Sequence, residues 1–390
     1  MEKKNKFGPG FLVAAAFIGP GTVTSATLAG AKYGYSLLWV IVLAIFSAII
    51  LQEMVGRSSL ASRMDLGTSL IKIPEKKWIK LLLGSLAFLA IVIGCAAYEG
   101  GNIVGGSLGI DILTGVGHRI WVILISLTAL IILWAGKYRF IEKLLIGLVV
   151  IMGISFFLTG LIVKPDIVNI IAGLKPSIPE GSITLILALL GTTIVPYNLF
   201  LHSSAILKKW DSSDMKYMRW DIILAVGLGG LITFSIVITA SSAYFLKNIA
   251  ITSPTDLSTQ LAPLFGNFSK ILFGIGLFAA GLSSAITAPY AAAWTAKGLF
   301  SLKEQGKWFR SVYTGVILTG ILLSLINIKP IELIILAQVT NALIIPIIAI
   351  FVFYLLNTKK LKNYRNGLIM NLLFIIVFII IVIINIKKFF

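Results

Sequence analysis

Two stretches decide the fold: Ala14-Ala15-Ala16-Phe17-Ile18-Gly19-Pro20-Gly21-Thr22-Val23-Thr24-Ser25 and Leu190-Gly191-Thr192-Thr193-Ile194-Val195-Pro196-Tyr197-Asn198-Leu199-Phe200-Leu201-His202-Ser203-Ser204. Each is an apolar run with a proline near its middle, ringed by Gly, Thr, Asn or Ser. Proline removes an amide donor and clashes with the preceding helical turn. In a bilayer the freed backbone groups need partners, so irregular backbone is tolerated only where protein encloses it or it lines a cavity. One such proline reads as a kink. The pair reads differently, because Gly19-Pro20-Gly21-Thr22 and Val195-Pro196-Tyr197-Asn198 share an x-Pro-x-polar pattern.

The surrounding composition places both stretches in a membrane. Of 390 residues, 58% are hydrophobic and 12% charged, against about 25% charged in a soluble domain. A mean hydropathy of +1.00 excludes a water-facing globule. It also excludes disorder, which needs low hydrophobicity. What remains is an all-α polytopic membrane protein with spans of about 20 apolar residues. Eleven transmembrane helices are expected, at 9–31, 36–56, 79–101, 119–137, 143–164, 182–206, 219–246, 269–300, 311–328, 331–356 and 367–387. No connection is long enough for a soluble domain. The N-terminal stretch resembles a signal peptide but is broken by Gly8-Pro9-Gly10 and Gly19-Pro20-Gly21, and reads as an uncleaved first helix. The single Cys95 has no partner for an intrachain disulfide.

The net charge of +18 would suggest nucleic acid in a soluble protein. Here the basic residues sit in short loops, and no nucleic-acid partner is expected. With the N-terminus in the cytoplasm, 24 of the 33 Lys and Arg fall on the cytoplasmic side. The positive-inside rule supports that orientation. It puts the C-terminus outside, in what reads as a bacterial inner membrane. Membrane lipid is the expected contact of the Lys clusters.

The two interrupted helices are the first and the sixth, so each opens a five-span half. Five is odd, so the second half inserts with inverted topology. Interrupted helices at matching positions of inverted repeats point to a secondary transporter with its site at the midplane. The expected division is 1–164 for the first repeat, 165–356 for the second, and 357–390 for an additional eleventh helix.

At these residues the chain resembles the Nramp (natural resistance-associated macrophage protein) family. Besides the breaks, the resemblance is carried by Gly8-Pro9-Gly10-Phe11-Leu12-Val13, Ala29-Gly30-Ala31, Leu37-Leu38-Trp39-Val40, Asn198-Leu199-Phe200-Leu201-His202-Ser203-Ser204 and Ala279-Ala280-Gly281-Leu282-Ser283-Ser284. It covers most of the chain. It implies a LeuT-type fold and proton-coupled transport of a divalent metal. In the family the first break is Asp-Pro-Gly-Asn, whose Asp and Asn bind the metal; Gly19 and Thr22 stand there in this chain. The sixth-helix Met-Pro-His is here Val195-Pro196-Tyr197, and Thr192 stands where the family has an Ala whose carbonyl binds the metal. Of the third-helix Asp-x-x-Glu, Ala96 and Glu99 are the counterparts. Thr314 and Lys209 stand for arginines of the family's proton path.

The substrate site implied by the breaks and the resemblance comprises Ala16, Gly19, Thr22, Thr192, Thr193, Val195, Tyr197, Asn198 and Gln338. Asn341 is a further candidate cavity liner. Without the family's Asp and Met this set is neutral, and no confident metal ligand is assigned. Hydroxyls and amides suit a small anion or polar solute such as bicarbonate, while the resemblance points to a divalent metal. Either cargo would be a small ion or solute, coupled to a proton or another cation. Glu99 is the one acid well inside a span, and intramembrane acids are costly. Glu99 and His202 are the coupling candidates, against a structural hydrogen-bonding role. Ser283, Ser284, Thr287 and Pro289 read more readily as helix packing than as a cation path. Glu53, near a span end, is expected to pair with a loop Lys or Arg. No cofactor is expected. An enzyme is not expected, since no nucleophile–base pair is visible. A transport-inactive sensor would need a signalling domain for which the spans leave no room.

Overall fold

The computed structural model describes residue 8 and residues 18–136 and 139–389. Among the described residues all regular structure is helical. Among the described residues ten helical segments are long and apolar enough to cross a membrane. A shorter helix, α1 (Pro20–Tyr33), precedes them. They are α2 (Leu38–Ser62), α4 (Lys77–Thr114), α5 (His118–Ala135), α6 (Arg139–Ile162), the pair α8 (Ile183–Thr193) and α9 (Pro196–Lys209), α10 (Met215–Ala243), α11 (Ser269–Phe300), α12 (Lys307–Leu325), α13 (Pro330–Leu356) and α14 (Leu368–Ile386). Two short helices, α3 (Leu66–Lys72) and α7 (Ile167–Gly173), lie in connections, each capped by an aspartate at its start.

Both breaks have one local form. Pro20 and Pro196 are each the first residue of a new helix, where a missing N–H costs nothing and φ is already helical. The residue before each is extended: Gly19 at φ −80, ψ 174 and Val195 at φ −78, ψ 116. Proline imposes that on its predecessor. The sixth span is therefore two helices separated by Ile194 and Val195. Pro289 and Pro346 behave otherwise and sit inside the continuous helices α11 and α13.

The third span corrects an expectation. The apolar run predicts a span at 79–101, but α4 continues to Thr114. Gly100-Gly101, Gly105-Gly106 and Gly109 read locally as helix breakers. In a bilayer the backbone keeps its helical hydrogen bonds because water cannot replace them. The glycines serve close packing instead. A Cβ on Gly105 would strike the Pro20 ring, one on Gly106 would press on Gly281, and one on Gly109 would strike the backbone of Phe278. α4 thus lies against the first break on one side and α11 on the other. The helix also carries a π turn at Leu89–Ile93, before Glu99. Such turns are frequent near functional sites.

Glu53 makes its ion pairs with Arg57, one turn on in its own helix at 3.0 Å, and with Arg219 at the start of α10 at 2.9 Å. The expected loop partners are thus helical residues. Arg57 also donates to the Tyr364 carbonyl at 2.8 Å and to Asn366 Oδ1 at 2.7 Å. This buried knot ties α2 to α10 and to the segment leading into α14.

Candidate functional site

The two breaks meet. Thr22, in the first turn of α1, and Thr192, in the last turn of α8, share a hydrogen bond between their hydroxyl oxygens at 2.7 Å. Both are almost wholly buried. Gln338 of α13 closes the third side. Its side-chain amide lies against Gly21, and its carbonyl oxygen lies against Gly191. A Cβ at either glycine would collide with it, so these two glycines are what let α13 reach the crossing. Asn198 is buried in the first turn of α9, and neither atom of its amide has a hydrogen-bond partner in the described protein. Tyr197 is buried too, its ring centroid 5.9 Å from that of Tyr98 on α4.

The other expected residues divide. Gly19 shapes the entry to α1, and its carbonyl accepts from Val23 N–H at 3.2 Å. Val195 is buried and apolar, and its carbonyl accepts from Asn198 N–H at 3.1 Å. Thr193 turns its hydroxyl back on the Leu189 carbonyl at 2.9 Å. Ala16 lies outside the described residues. Asn341 is buried one turn beyond Gln338, its amide nitrogen without a partner among the described residues. His202 is fully buried, four residues after Asn198 on α9 and so on the same face. Neither ring nitrogen has a partner in the described protein.

Glu99 is fully buried. Its Oε2 accepts from Asn102 Nδ2 at 3.1 Å, while Oε1 has no partner in the described protein. The side chain lies against Gly320 of α12. Glu99 is thus next in sequence to Tyr98, which faces the crossing, and is itself turned toward α12. Asn102 was not among the expected residues, although an amide three residues after the only mid-span acid is a readable signal. Thr24 and Ser25 of α1, just after Thr22, were also not among the expected residues. Both hydroxyls are buried without a partner in the described protein.

Two positions matched to the family's proton path lie elsewhere. Thr314 accepts a hydrogen bond from Trp134 Nε1 at 3.2 Å in an exposed setting. Lys209 places its ammonium over the ring of the neighbouring Trp210, 5.5 Å from the centroid. Ser283 and Thr287 make one local bond, Thr287 Oγ1 to the Ser283 carbonyl at 2.8 Å. Among the described residues no three His, Cys, Asp or Glu side chains cluster as a metal site would require.

Residues 10–390 match the family model described as natural resistance-associated macrophage protein-like. The chain belongs to the Nramp family. Similar proteins include the divalent metal cation transporter MntH 1 of Pseudomonas aeruginosa, 29% identical, with 87% of this chain and 80% of that one covered. The metal transporter Nramp6.2 of Populus trichocarpa is 30% identical, over 79% of this chain and 59% of that one. Among solved structures, the Eremococcus coleocola manganese transporter bound to an aromatic bis-isothiourea compound superposes with a TM-score of 0.76. It is 20% identical and covers 97% of this chain and 84% of its own. MhsT in complex with L-phenylalanine superposes with a TM-score of 0.63 at 16% identity, over 97% and 98%. The Nramp chain therefore has the LeuT-type fold and is an integral membrane protein.

Proposed function

We propose that this Nramp protein is a secondary active transporter that moves a small inorganic ion through the crossing of its two interrupted helices. The observation that carries this reading is the 2.7 Å bond between Thr22 and Thr192, which joins one break to the other. Gly19, Thr22, Thr192, Asn198 and Gln338 bind the cargo, with Val195, Tyr197 and the terminal carbonyls of α8 shaping the space. Residues 1–164 and 165–356 act as the two inverted repeats, and 357–390 adds a helix outside them. The N-terminus is cytoplasmic.

Glu99 is the coupling group. A buried carboxylate with one oxygen unsatisfied has a reason to take up a proton or a cation. Its neighbour Tyr98 faces the crossing, which supplies a path of influence to the cargo. His202, on the same face of α9 as Asn198, is the second coupling candidate.

Kinship makes the cargo a divalent metal, since the named relatives are metal transporters. A second reading, a small anion or neutral polar solute such as bicarbonate, is favoured by the chemistry of the crossing. Its side chains are hydroxyls and amides. Two half-helices begin there, at Pro20 and Pro196, and the positive ends of their dipoles favour negative charge. The C-terminal end of α8 contributes carbonyls of opposite sense.

Uptake into proteoliposomes under an imposed pH gradient tests both readings. Manganese, iron, cobalt, magnesium and calcium are assayed beside bicarbonate and other small anions. Saturable flux of a metal supports the kinship reading, and flux of an anion alone supports the second. No flux of any of them removes the transport reading.

A further inference from the structure

A cavity of about 800 Å³ opens between the far ends of α1, α8 and α13. These are the three helices that meet at Thr22, Thr192 and Gln338. Leu185 and Ile335 line its apolar wall, and Lys32, Lys329 and Glu332 its polar one. Thr184 also lines it, and Lys388 Nζ donates to the Thr184 hydroxyl at 2.8 Å. A third ammonium therefore stands at the same mouth. Thr184 and Thr192 are two turns apart on α8, roughly 12 Å at the helical rise. The cavity thus lies about two helical turns from the crossing along α8.

Glu332 lines the cavity, and Glu180 and Asp256 stand close in sequence to its lining residues Gly181 and Pro254; they offset the lysines only in part. Glu332 Oε1 lies 3.9 Å from Lys329 Nζ, with both side chains largely exposed. The Asp256 carboxylate is held by the N–H groups of Thr252 and Ser253, each at 2.8 Å. Lys32 makes no ion pair among the described residues. The topology signal does not explain this gathering. The side of the protein carrying this cavity holds only nine of the 33 basic residues, yet three of them meet at one opening.

We propose that this cavity is a vestibule that collects small anions and delivers them to the crossing, so that the cargo is an anion of bicarbonate's charge and size. The proposal rests on the second reading above and names its entry site. A cleft with low-dielectric walls focuses the field of the charges that line it. The screening length of about 8 Å at physiological ionic strength lets three such charges act together at a single mouth.

The test separates the vestibule from the cargo. In a Cys95→Ala background, a thiol is introduced by Leu336→Cys inside the vestibule, or by Val116→Cys in the α4–α5 loop as a control. Each is treated with methanethiosulfonate reagents carrying a sulfonate or a quaternary ammonium. The sulfonate-to-ammonium rate ratio is expected to be about tenfold higher at Leu336→Cys than at the control. It should collapse in high salt and when Lys32→Gln, Lys329→Gln and Lys388→Gln are combined. The same triple variant is expected to raise the KM for bicarbonate uptake about tenfold with kcat retained. Equal ratios at the two thiols, beside measurable bicarbonate uptake, overturn the vestibule and leave the anion reading standing. The expected ratios with uptake of manganese and none of bicarbonate overturn the anion reading, and the proposal with it.

Discussion

α4 meets its neighbours in two ways within consecutive residues. At Gly105 it touches the Pro20 ring at the start of α1, and at Gly106 it lies against Gly281 of the continuous α11. Both contacts bring backbones close. At the α11 seam the helices approach by shedding side chains, through Gly106, Gly109, Gly274 and Gly281, and keep their own hydrogen bonds. At the crossing the helices end instead, and the space fills with Thr22, Thr192, Asn198 and Gln338. Close packing of small residues makes a fixed support. Ending a helix in a bilayer frees backbone groups that then have to be used. The two contacts thus divide the work: the seam holds α4 in place, and the crossing supplies the polar groups.

The largest test of that division is Gly281→Val. Its Cβ would collide with the backbone N and Cα of Gly106, which cannot rotate away. A loss of about 3 kcal/mol or more is expected, seen as a large fall in melting temperature in detergent and loss of monodisperse protein. A variant that melts like the wild type breaks the comparison, because the seam would then be pliable.

Glu99→Gln acts on function and spares the seam. The amide can keep the Asn102 contact, so the melting temperature should hold. Uptake should lose its dependence on the pH gradient, read as equal rates with and without the gradient. Gradient-driven uptake at the wild-type rate would return Glu99 to a purely structural role.

Thr192→Val removes one bond of the crossing and keeps the side-chain shape. Loss of about 1 kcal/mol of stability is expected. A rise in the KM for the cargo of about tenfold, or 1.4 kcal/mol, should accompany it. An unchanged KM would mean that the link between the breaks does not contribute to binding.

The smallest effect belongs outside both contacts. Gly315 lies on an exposed face of α12 with open space where a Cβ would be. Gly315→Ala should raise stability by about 0.5–1 kcal/mol through helix propensity alone. A loss there would show that this glycine, too, sits in a packing seam.

Much of the fold is legible in the chain because a bilayer makes its demand locally. Each span has to be apolar and long enough by itself, and Pro20 and Pro196, which begin helices at the crossing, announce themselves by polar neighbours. Pro289 and Pro346 show the limit of that signal, since they sit within helices that continue past them. The end of α4 was misread because a glycine breaks a helix in water, and in lipid it thins one. The π turn at Leu89–Ile93 left no pattern to read.

The candidate site divides along the same line. Its members are individually visible as polar residues in apolar helices, Glu99 above all. Their grouping is not visible. Thr22 and Thr192 are 170 residues apart, and nothing in either stretch states that one hydroxyl reaches the other. Glu99 reads as central, yet it is turned toward Gly320 of α12, with Asn102 as its partner.

The sequence by itself determined the membrane class, the all-helical architecture, and the two prolines, Pro20 and Pro196, at which helices begin beside polar residues. All of these follow from the transfer of each segment between water and lipid, or from proline's missing N–H. Only the tertiary structure decided which break faces which, how Gly21 and Gly191 admit Gln338 between them, and that Lys32, Lys329 and Lys388 share one mouth. Those facts depend on contacts between segments far apart in the chain, where packing chooses the partners.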